Sequence, residues 1–407
     1  MTLLFDLGSS KVAGLVCVRA AHGGLEALAA AEAPCRGIQK GVVADLESVR
    51  TALDDVARRL RSQVGELPER AVVNLNGSHL TSLNTQGFVP LFPNTRAITR
   101  EDVLHVINHS RQISTAPDTE QIQAIPREFR VDGIQGVQKP IGLSGSRLEV
   151  VTHIVTGSAS AMANLETAVG RAGFKIDQVI TQPVASGLGV SSEDERDLGL
   201  VVIDLGAATT TVAIFQGGAL AYSAVMPMGS SLVTSDLSKL LKTSPEEAER
   251  LKIQHGCAIA AEDHAKVTIE VHQVGVTMPR HLHKRVLSEI VESRMREVAQ
   301  YSKQQVEKSG LHGLLPGGVL LTGGGSLLPG VEDLFAQVMP DVPVRLARPR
   351  ILGPQSNSVT RPQTAALIGM AEFALTEEED EIQPANGLDH WKSKIKTLKA
   401  LFKPKES

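Results

Sequence analysis

The sequence predicts an α/β chain folded as two structurally related lobes. Two segments half a chain apart match each other. One is Leu3-Leu4-Phe5-Asp6-Leu7-Gly8-Ser9-Ser10-Lys11, followed by the apolar stretch Val12 to Val18; the other is Val201-Val202-Ile203-Asp204-Leu205-Gly206-Ala207-Ala208-Thr209-Thr210, followed by Val212 to Phe215. Each is a β-rich run, an Asp-Leu-Gly corner with small or hydroxyl residues, and a second β-rich run, the pattern of a hairpin with a tight polar turn. Elsewhere strand patterns alternate with helical ones, as in α/β chains. At 407 residues the chain is also too long for one small core.

In chain order, hydrophobic periodicity predicts helices over Leu46–Val64 and Ala159–Ala172 and strands over Ala71–Leu75 and Val150–Thr156. After the second hairpin, Ser244–His255 reads as a helix with Pro245 and Glu246 in its first turn, and Val286–Lys308 as a longer, charged one. A third strand, Val319–Thr322, runs into Gly323-Gly324-Gly325-Ser326. Then the character changes. Glu377, Glu378, Glu379, Asp380 and Glu381 form a block of like charge, followed by Pro384, Asn386 and Gly387, which predicts a solvated, flexible linker. Trp391 to Lys403 is basic and periodic.

Composition is ordinary for a globular chain, with 42% hydrophobic and 21% charged residues, but aromatics are only 3%, so the core must rely on Val, Leu, Ile and Ala. A formal net charge of -4 argues against nucleic acid as a partner. Cys17, Cys35 and Cys257 show no paired spacing, so neither a disulfide framework nor a zinc site is expected. Asp6 interrupts the first apolar run and no basic segment precedes it, which excludes a signal peptide. No apolar run reaches the roughly 20 residues that span a bilayer. These features together predict a cytoplasmic protein.

The two hairpins carry the chemistry. A carboxylate at a strand end, Asp6 or Asp204, can hold magnesium through its water shell. A neighbouring glycine, Gly8 or Gly206, lets backbone N–H groups approach a phosphate. Ser9, Ser10, Thr209 and Thr210 offer hydroxyls, and Lys11 a positive charge. One such hairpin would read as an ordinary turn; two matched copies and a glycine run after a third strand point to nucleotide binding. The run does not fit G-x-G-x-x-G, because position 328 is Leu, and no G-x-x-x-x-G-K-[ST] loop occurs. Gly323, Gly324 and Gly325 therefore form either a flexible turn or a loop under an adenosine. His281 and His283 lack a third ligand nearby and read as a surface coincidence.

Together these elements resemble the actin-like ATPase superfamily. The resemblance implies a bilobed actin-like fold, a duplicated ribonuclease-H-like plan, with ATP and Mg2+ between the lobes. Asp6–Lys11 would be the first phosphate motif, Asp204–Thr211 the second and Leu321–Ser326 the adenosine motif. Ile180–Gly187 falls at the first interdomain connection, where Gln182 matches the residue that orients the attacking water in actin; it also reads as a polar helix cap. Glu249 and Lys252 share a helix face and resemble the Glu-x-x-Lys pair that holds ribose and adenine; a plain surface ion pair is the alternative.

Within residues 82–157, Ile125-Pro126-Arg127-Glu128-Phe129-Arg130-Val131-Asp132 and Pro140-Ile141-Gly142-Leu143-Ser144-Gly145-Ser146-Arg147-Leu148-Glu149-Val150 resemble the inserted subdomain of the bacterial FtsA family. Lys40–Asp45, Asp194–Gly199 and Val233–Asp236 resemble that family too. The second motif departs from Asp-Ile-Gly-Gly-Gly-Thr-x-Asp at Ala207, Ala208 and Thr211, which predicts at most slow hydrolysis. The resemblance divides the chain into a nucleotide subdomain at 1–81, the insert at 82–157 and a return at 158–197. The second lobe follows as a nucleotide subdomain at 198–229, a smaller FtsZ-binding subdomain at 230–305 and a return at 306–359. Residues 360–375 rejoin the first lobe, 376–389 form the linker and 390–407 a membrane-targeting helix.

Trp391, Ile395, Leu398 and Phe402 fall on one stripe of that helix, with Lys392, Lys396, Lys399 and Lys403 on another face. Such a helix lies on an anionic bilayer surface; docking on its own protein is the alternative, which the flexible acidic linker before it disfavours. The family resemblance adds FtsZ, whose C-terminal peptide would meet Arg285, Glu289 and above all Arg294, along with self-assembly into filaments, later division proteins, and a place on the cytoplasmic face of the inner membrane at the septum. The competing readings are a PilM-like pilus scaffold and a small-molecule kinase of the same fold.

Overall fold

The computed structural model describes residues 1–20, 24–93 and 95–376. The acidic run and the stripe of Trp391, Ile395, Leu398 and Phe402 lie outside the described residues.

The first hairpin seeds a sheet. Strands β1 (Thr2–Leu7) and β2 (Lys11–Arg19) pair antiparallel, and β3 (Leu25–Pro34) extends them. A short ladder, β4 (Ile38–Gln39) and β5 (Val42–Val43), leads to α1 (Leu46–Val64) and then β6 (Arg70–Leu75), which lies parallel to β1. The Asp45 carboxylate caps α1 by accepting from the Glu47 and Ser48 amides, and Gly65 ends it at φ 82. Its apolar face, with Val49, Leu53, Val56 and Leu60 buried, covers the sheet.

The insert follows as β7 (Thr81–Pro90), β8 (Arg96–Ala97), α2 (Arg100–Ser110), β9 (Thr119–Val131), β10 (Ile134–Val137), β11 (Ser144–Gly145) and β12 (Arg147–Ser158). Its sheet, ordered β10-β9-β12-β7, has its own core of Leu91, Ile98, Val106, Ile107, Phe129 and Leu148. The chain then returns through α3 (Ala159–Arg171) and β13 (Lys175–Thr181), completing the first sheet in the order β13-β6-β1-β2-β3.

Helices α4 (Gln182–Val190) and α5 (Glu193–Leu198) lead into the second lobe. There β14 (Leu200–Leu205), β15 (Thr210–Gln216) and β16 (Ala219–Met226) repeat the opening three-stranded unit. After α6 (Ser230–Leu241), α7 (Pro245–His255), β17 (Thr268–Val271), β18 (Arg280–His283) and α8 (Lys284–Lys308), the strand β19 (Val319–Thr322) joins β14 in parallel. Helix α9 (Val331–Val338) and β20 (Val344–Leu346) complete the order β16-β15-β14-β19-β20, the same topology as the first sheet. Helix α8 begins at Lys284, two residues before the predicted start, because β18 ends directly against it at His283.

A short turn α10 (Ser356–Val359) and α11 (Ala365–Thr376) close the chain. Helices α4 and α11 cross in contact. A Cβ on Gly189 would sit 1.9 Å from the Ala365 carbonyl oxygen, and one on Gly369 1.8 Å from that of Ala185. Only glycine permits this approach. One apolar cluster runs through the crossing from Leu4, Leu15 and Ile180 of the first lobe to Val202 and Phe215 of the second. The insert also touches the second lobe: Ser82 Oγ donates to the Ser223 carbonyl at 2.8 Å and Asn84 Nδ2 to that of Ala221 at 3.1 Å. His153 lies between, bonded to Asn84 and Ser223, and burial drives its pKa down to about 3, so the ring is neutral.

Candidate nucleotide site

A cleft of about 970 Å3 opens between the lobes, lined by both hairpins, the glycine run and α7. Its size falls in the range of small-molecule sites. The two hairpin turns are built alike: the Gly8 amide donates to the Lys11 carbonyl at 3.0 Å, and the Gly206 amide to that of Thr209 at 2.9 Å. Neither glycine has positive φ; a Cβ would crowd the facing carbonyl, at 3.0 Å on Gly8 and at 2.8 Å on Gly206, where something must shift. Ala207 and Ala208 also keep negative φ, so this turn never required glycine conformations at those positions. The Gly206 and Ala207 carbonyls accept from the Ser230 and Ser231 amides, which seats the α6 N-terminus on the second turn.

An amide relay joins the two acids. Asn74 Nδ2 donates to Asp6 Oδ1 at 2.6 Å and to Gln182 Oε1 at 2.8 Å, and Gln182 Nε2 donates to Asp204 Oδ2 at 2.8 Å. Asn74 Oδ1 accepts the Leu7 amide at 2.7 Å. A second bond, Asn76 Nδ2 to Thr209 Oγ1 at 3.1 Å, also crosses from the first lobe to the second hairpin. Burial, then repulsion from Asp204, pushes Asp6 up to about 7. Burial likewise raises Asp204, partly opposed by its bond from Gln182. Two facing acids held above their ordinary range favour a cation between them. No cluster of three or more His, Cys, Asp or Glu occurs among the described residues. Magnesium needs only one or two carboxylates beside phosphate and water oxygens, so Asp6 and Asp204 fit it.

Gly323 sits at φ 81, and a Cβ there would lie 2.3 Å from Asp204 Oδ1. Its amide donates to the Pro362 carbonyl at 3.1 Å. Gly325 lies against Leu205, where a Cβ would be 2.9 Å from the Leu205 Cβ. The run is thus wedged against the second hairpin rather than being a free turn. Beside it, Gln363 lines the cleft, and its Oε1 is buried with no hydrogen-bond partner among the described residues.

Several sequence expectations need correction. Gln182 does not cap α4: Thr181 is the N-cap residue, and both ends of the Gln182 amide are taken up by the relay. Glu249 and Lys252 form a pair with one buried member: the Glu249 side chain is 44% exposed and that of Lys252 is not. Lys252 is 7% exposed, bonds Glu249 at 2.6 Å and Thr234 at 3.0 Å, and both residues line the cleft. Thr210 does not face the cleft. It is paired in register with Leu205, fully buried, and its hydroxyl has no partner among the described residues. Lys11 lines the cleft but is paired with Glu32 at 2.5 Å, which Arg361 also holds. Ser9 Oγ accepts the Gly41 amide at 3.3 Å, while Ser10 is exposed.

Arg285, Glu289 and Arg294 do not form one face. Arg285 pairs with Glu289 one turn along α8, whereas Arg294, nine residues on, is two and a half turns away at about 3.6 residues per turn. Arg294 is partly buried against α6, bonded to Asp236 at 2.6 Å and also to Glu297. Asn74, Asn76 and Gln363 went unread in the sequence. The only local signal was a pair of Asn residues at the end of an apolar strand.

The model for "Cell division protein FtsA" matches residues 201–369, and that for the "SHS2 domain inserted in FTSA" matches residues 77–156. The cell division protein FtsA of Pseudomonas aeruginosa is 33% identical over 380 residues, covering 93% of this chain and 90% of the relative. That of Neisseria meningitidis serogroup B is 34% identical over 389 residues, covering 94% and 92%. Among solved structures, the PilM-PilN type IV pilus biogenesis complex aligns with a TM-score of 0.66 at 16% identity, over 92% of this chain and 98% of that one. MreB5 of Spiroplasma citri bound to ADP aligns with a TM-score of 0.56 at 13% identity, over 94% and 98%. The fold of the chain is actin-like.

Proposed function

The chain belongs to the FtsA family of cell division proteins, and from that premise we propose that it is an ATP-dependent anchor that holds FtsZ on the cytoplasmic face of the inner membrane at the division site. The carrying observation is the relay Asp6–Asn74–Gln182–Asp204, which makes the contents of the cleft and the arrangement of the two lobes one event. Asp6 and Asp204 would hold the magnesium, and the two turns would offer their backbone amides to the phosphates of ATP. Lys252 and Glu249, which line the cleft, would take the ribose, and the glycine run would lie under the adenosine. Bound metal would supply charge neutralisation for the phosphates.

Hydrolysis is slow in this reading. Thr211 stands where a third acid would be and is buried, at 2% exposure. Gln182, the residue proposed to orient water, spends both ends of its amide on the relay. Transfer of a phosphoryl group depends on placing metal and water. ATP therefore acts as a conformational ligand for self-assembly into filaments that recruit later division proteins. The C-terminal peptide of FtsZ docks on the second-lobe subdomain beside the Asp236–Arg294 pair, with Arg285 and Glu289 outside that contact. Trp391, Ile395, Leu398 and Phe402 insert into the anionic bilayer surface.

A scaffold in pilus assembly is the second reading; the likeness to PilM, at 16% identity, speaks for the fold alone. Sedimentation with anionic vesicles tests the proposal. FtsZ should pellet only with the chain and ATP present, and Trp391→Glu or Phe402→Glu should leave both proteins in the supernatant. FtsZ that stays in solution whatever the chain does would contradict it.

A further inference from the structure

A second groove, of about 1290 Å3, lies at the hinge and shares no lining residue with the nucleotide cleft. Both lobes wall it: the β2–β3 turn on one side, α5 and the segment Arg345–Leu352 on the other, with the end of α11 between them. Its charges do not cancel. Arg345 is paired with Glu195, and the buried Arg196 lies beside Glu372 and Glu193. Arg348 and Arg350 are exposed and make no hydrogen bond among the described residues; Arg350 lies close enough to Glu195 to help lower its carboxyl pKa, while Arg348 has no acid of its own there. Asp194 is the acid on that rim with no arginine of its own.

Helix α11 delivers the chain into this groove. Leu375 lines it, and Arg19 Nη1 holds the Leu375 carbonyl at 3.0 Å, fixing the point from which the chain continues. Two residues later begins the run Glu377-Glu378-Glu379-Asp380-Glu381. At about 3.3–3.6 Å per residue, the first of these acids starts within roughly 7 Å of Leu375. Adjacent like charges repel unless opposite charge meets them, and an arginine fork matches a carboxylate in geometry.

We propose that the acidic run 377–381 of this chain docks across the hinge groove on Arg348 and Arg350, as a strap between the globular body and the tail. Because both lobes wall the groove, the strap ties the direction in which the tail leaves to the arrangement of the lobes. Salt and competing polyanions release it.

The test is zero-length carbodiimide cross-linking of the full chain carrying Arg348→Lys and Arg350→Lys, exposed changes that keep the charge and supply amines. Peptide mapping by mass spectrometry should find amide bonds joining position 348 or 350 to residues 377–381 within one chain. Their yield should fall several-fold at about 0.5 M salt. The Lys303–Glu307 pair at 3.9 Å is the internal control for reactivity. A linked control with no link at 348 or 350 overturns the proposal. So does a link found only between isotopically distinct chains, which would assign the groove to a neighbouring copy.

Discussion

The two hairpins share a turn and differ in what grips it. In the first, the turn is polar and its charge is tethered from outside, with Lys11 on Glu32 and Ser9 on Gly41. In the second, the side chains are the small Ala207 and Ala208, and the turn is clamped by backbone: the α6 N-terminus on one side and Gly323 on the other. One half of the cleft therefore presents side chains that can re-pair. The other offers a rigid wall of amides and one acid. A duplicated fold need not duplicate its chemistry.

Breaking the rigid wall should have the largest effect. Gly323→Ala places a Cβ at positive φ and 2.3 Å from Asp204 Oδ1. The left-handed strain alone costs about 1–2 kcal/mol. That strain lowers folding stability; the displacement of Asp204 lowers nucleotide affinity, by at least about tenfold, or about 1.4 kcal/mol. Titration calorimetry reads this, and a loss under threefold would mean that the wall yields.

Next comes the link between the halves. Asn74→Ala leaves the Leu7 amide without its acceptor and frees Asp6 and Gln182. An unsatisfied buried donor costs about 1–3 kcal/mol, which denaturant unfolding should register as a lower midpoint at an unchanged slope. Asn74→Asp keeps the acceptor for Leu7 but adds a third acid, so it should recover part of the stability while weakening nucleotide binding without magnesium.

The pairing of the acids has a pH signature. With Asp6 raised from 3.8 to about 7, the folded state holds a proton that the unfolded state has lost between those values. Stability from this group is therefore full below about 3.8 and declines as pH rises to about 7, then levels. The difference in unfolding free energy between wild type and Asp6→Asn should follow that decline without divalent cation and flatten when magnesium is added. A flat difference without cation would mean that Asp6 ionises normally.

The smallest effect is expected from restoring glycine to the second turn. Ala207→Gly and Ala208→Gly gain no conformation that the turn uses, because both alanines keep negative φ. They should lose about 0.5–1 kcal/mol of stability through chain entropy and leave nucleotide affinity within about twofold.

What the sequence disclosed was local. Each Asp-Leu-Gly corner, the glycine run and the whole of α1 carry their signal in adjacent residues or a helical period, and all formed where expected. What it concealed was set at long range. Asn74 meets Asp6 across 68 positions and Gln182 across 108, and an Asn closing a Val-Leu strand has no periodicity to betray it. Thr210 looked like a phosphate hydroxyl because it follows Thr209, yet strand alternation turns it into the core. Arg294 looked free because its partner Asp236 is 58 positions away on another helix.

The central claim, a magnesium–nucleotide site spanning both lobes, is tested most directly by titrating ATP into the wild-type chain and into Asp204→Ala, with and without magnesium. The account predicts saturable binding by the wild type that tightens at least about tenfold with magnesium, and an Asp204→Ala chain that has lost the magnesium dependence. No binding by the folded wild-type chain, or identical magnesium-dependent binding by the two, would contradict it.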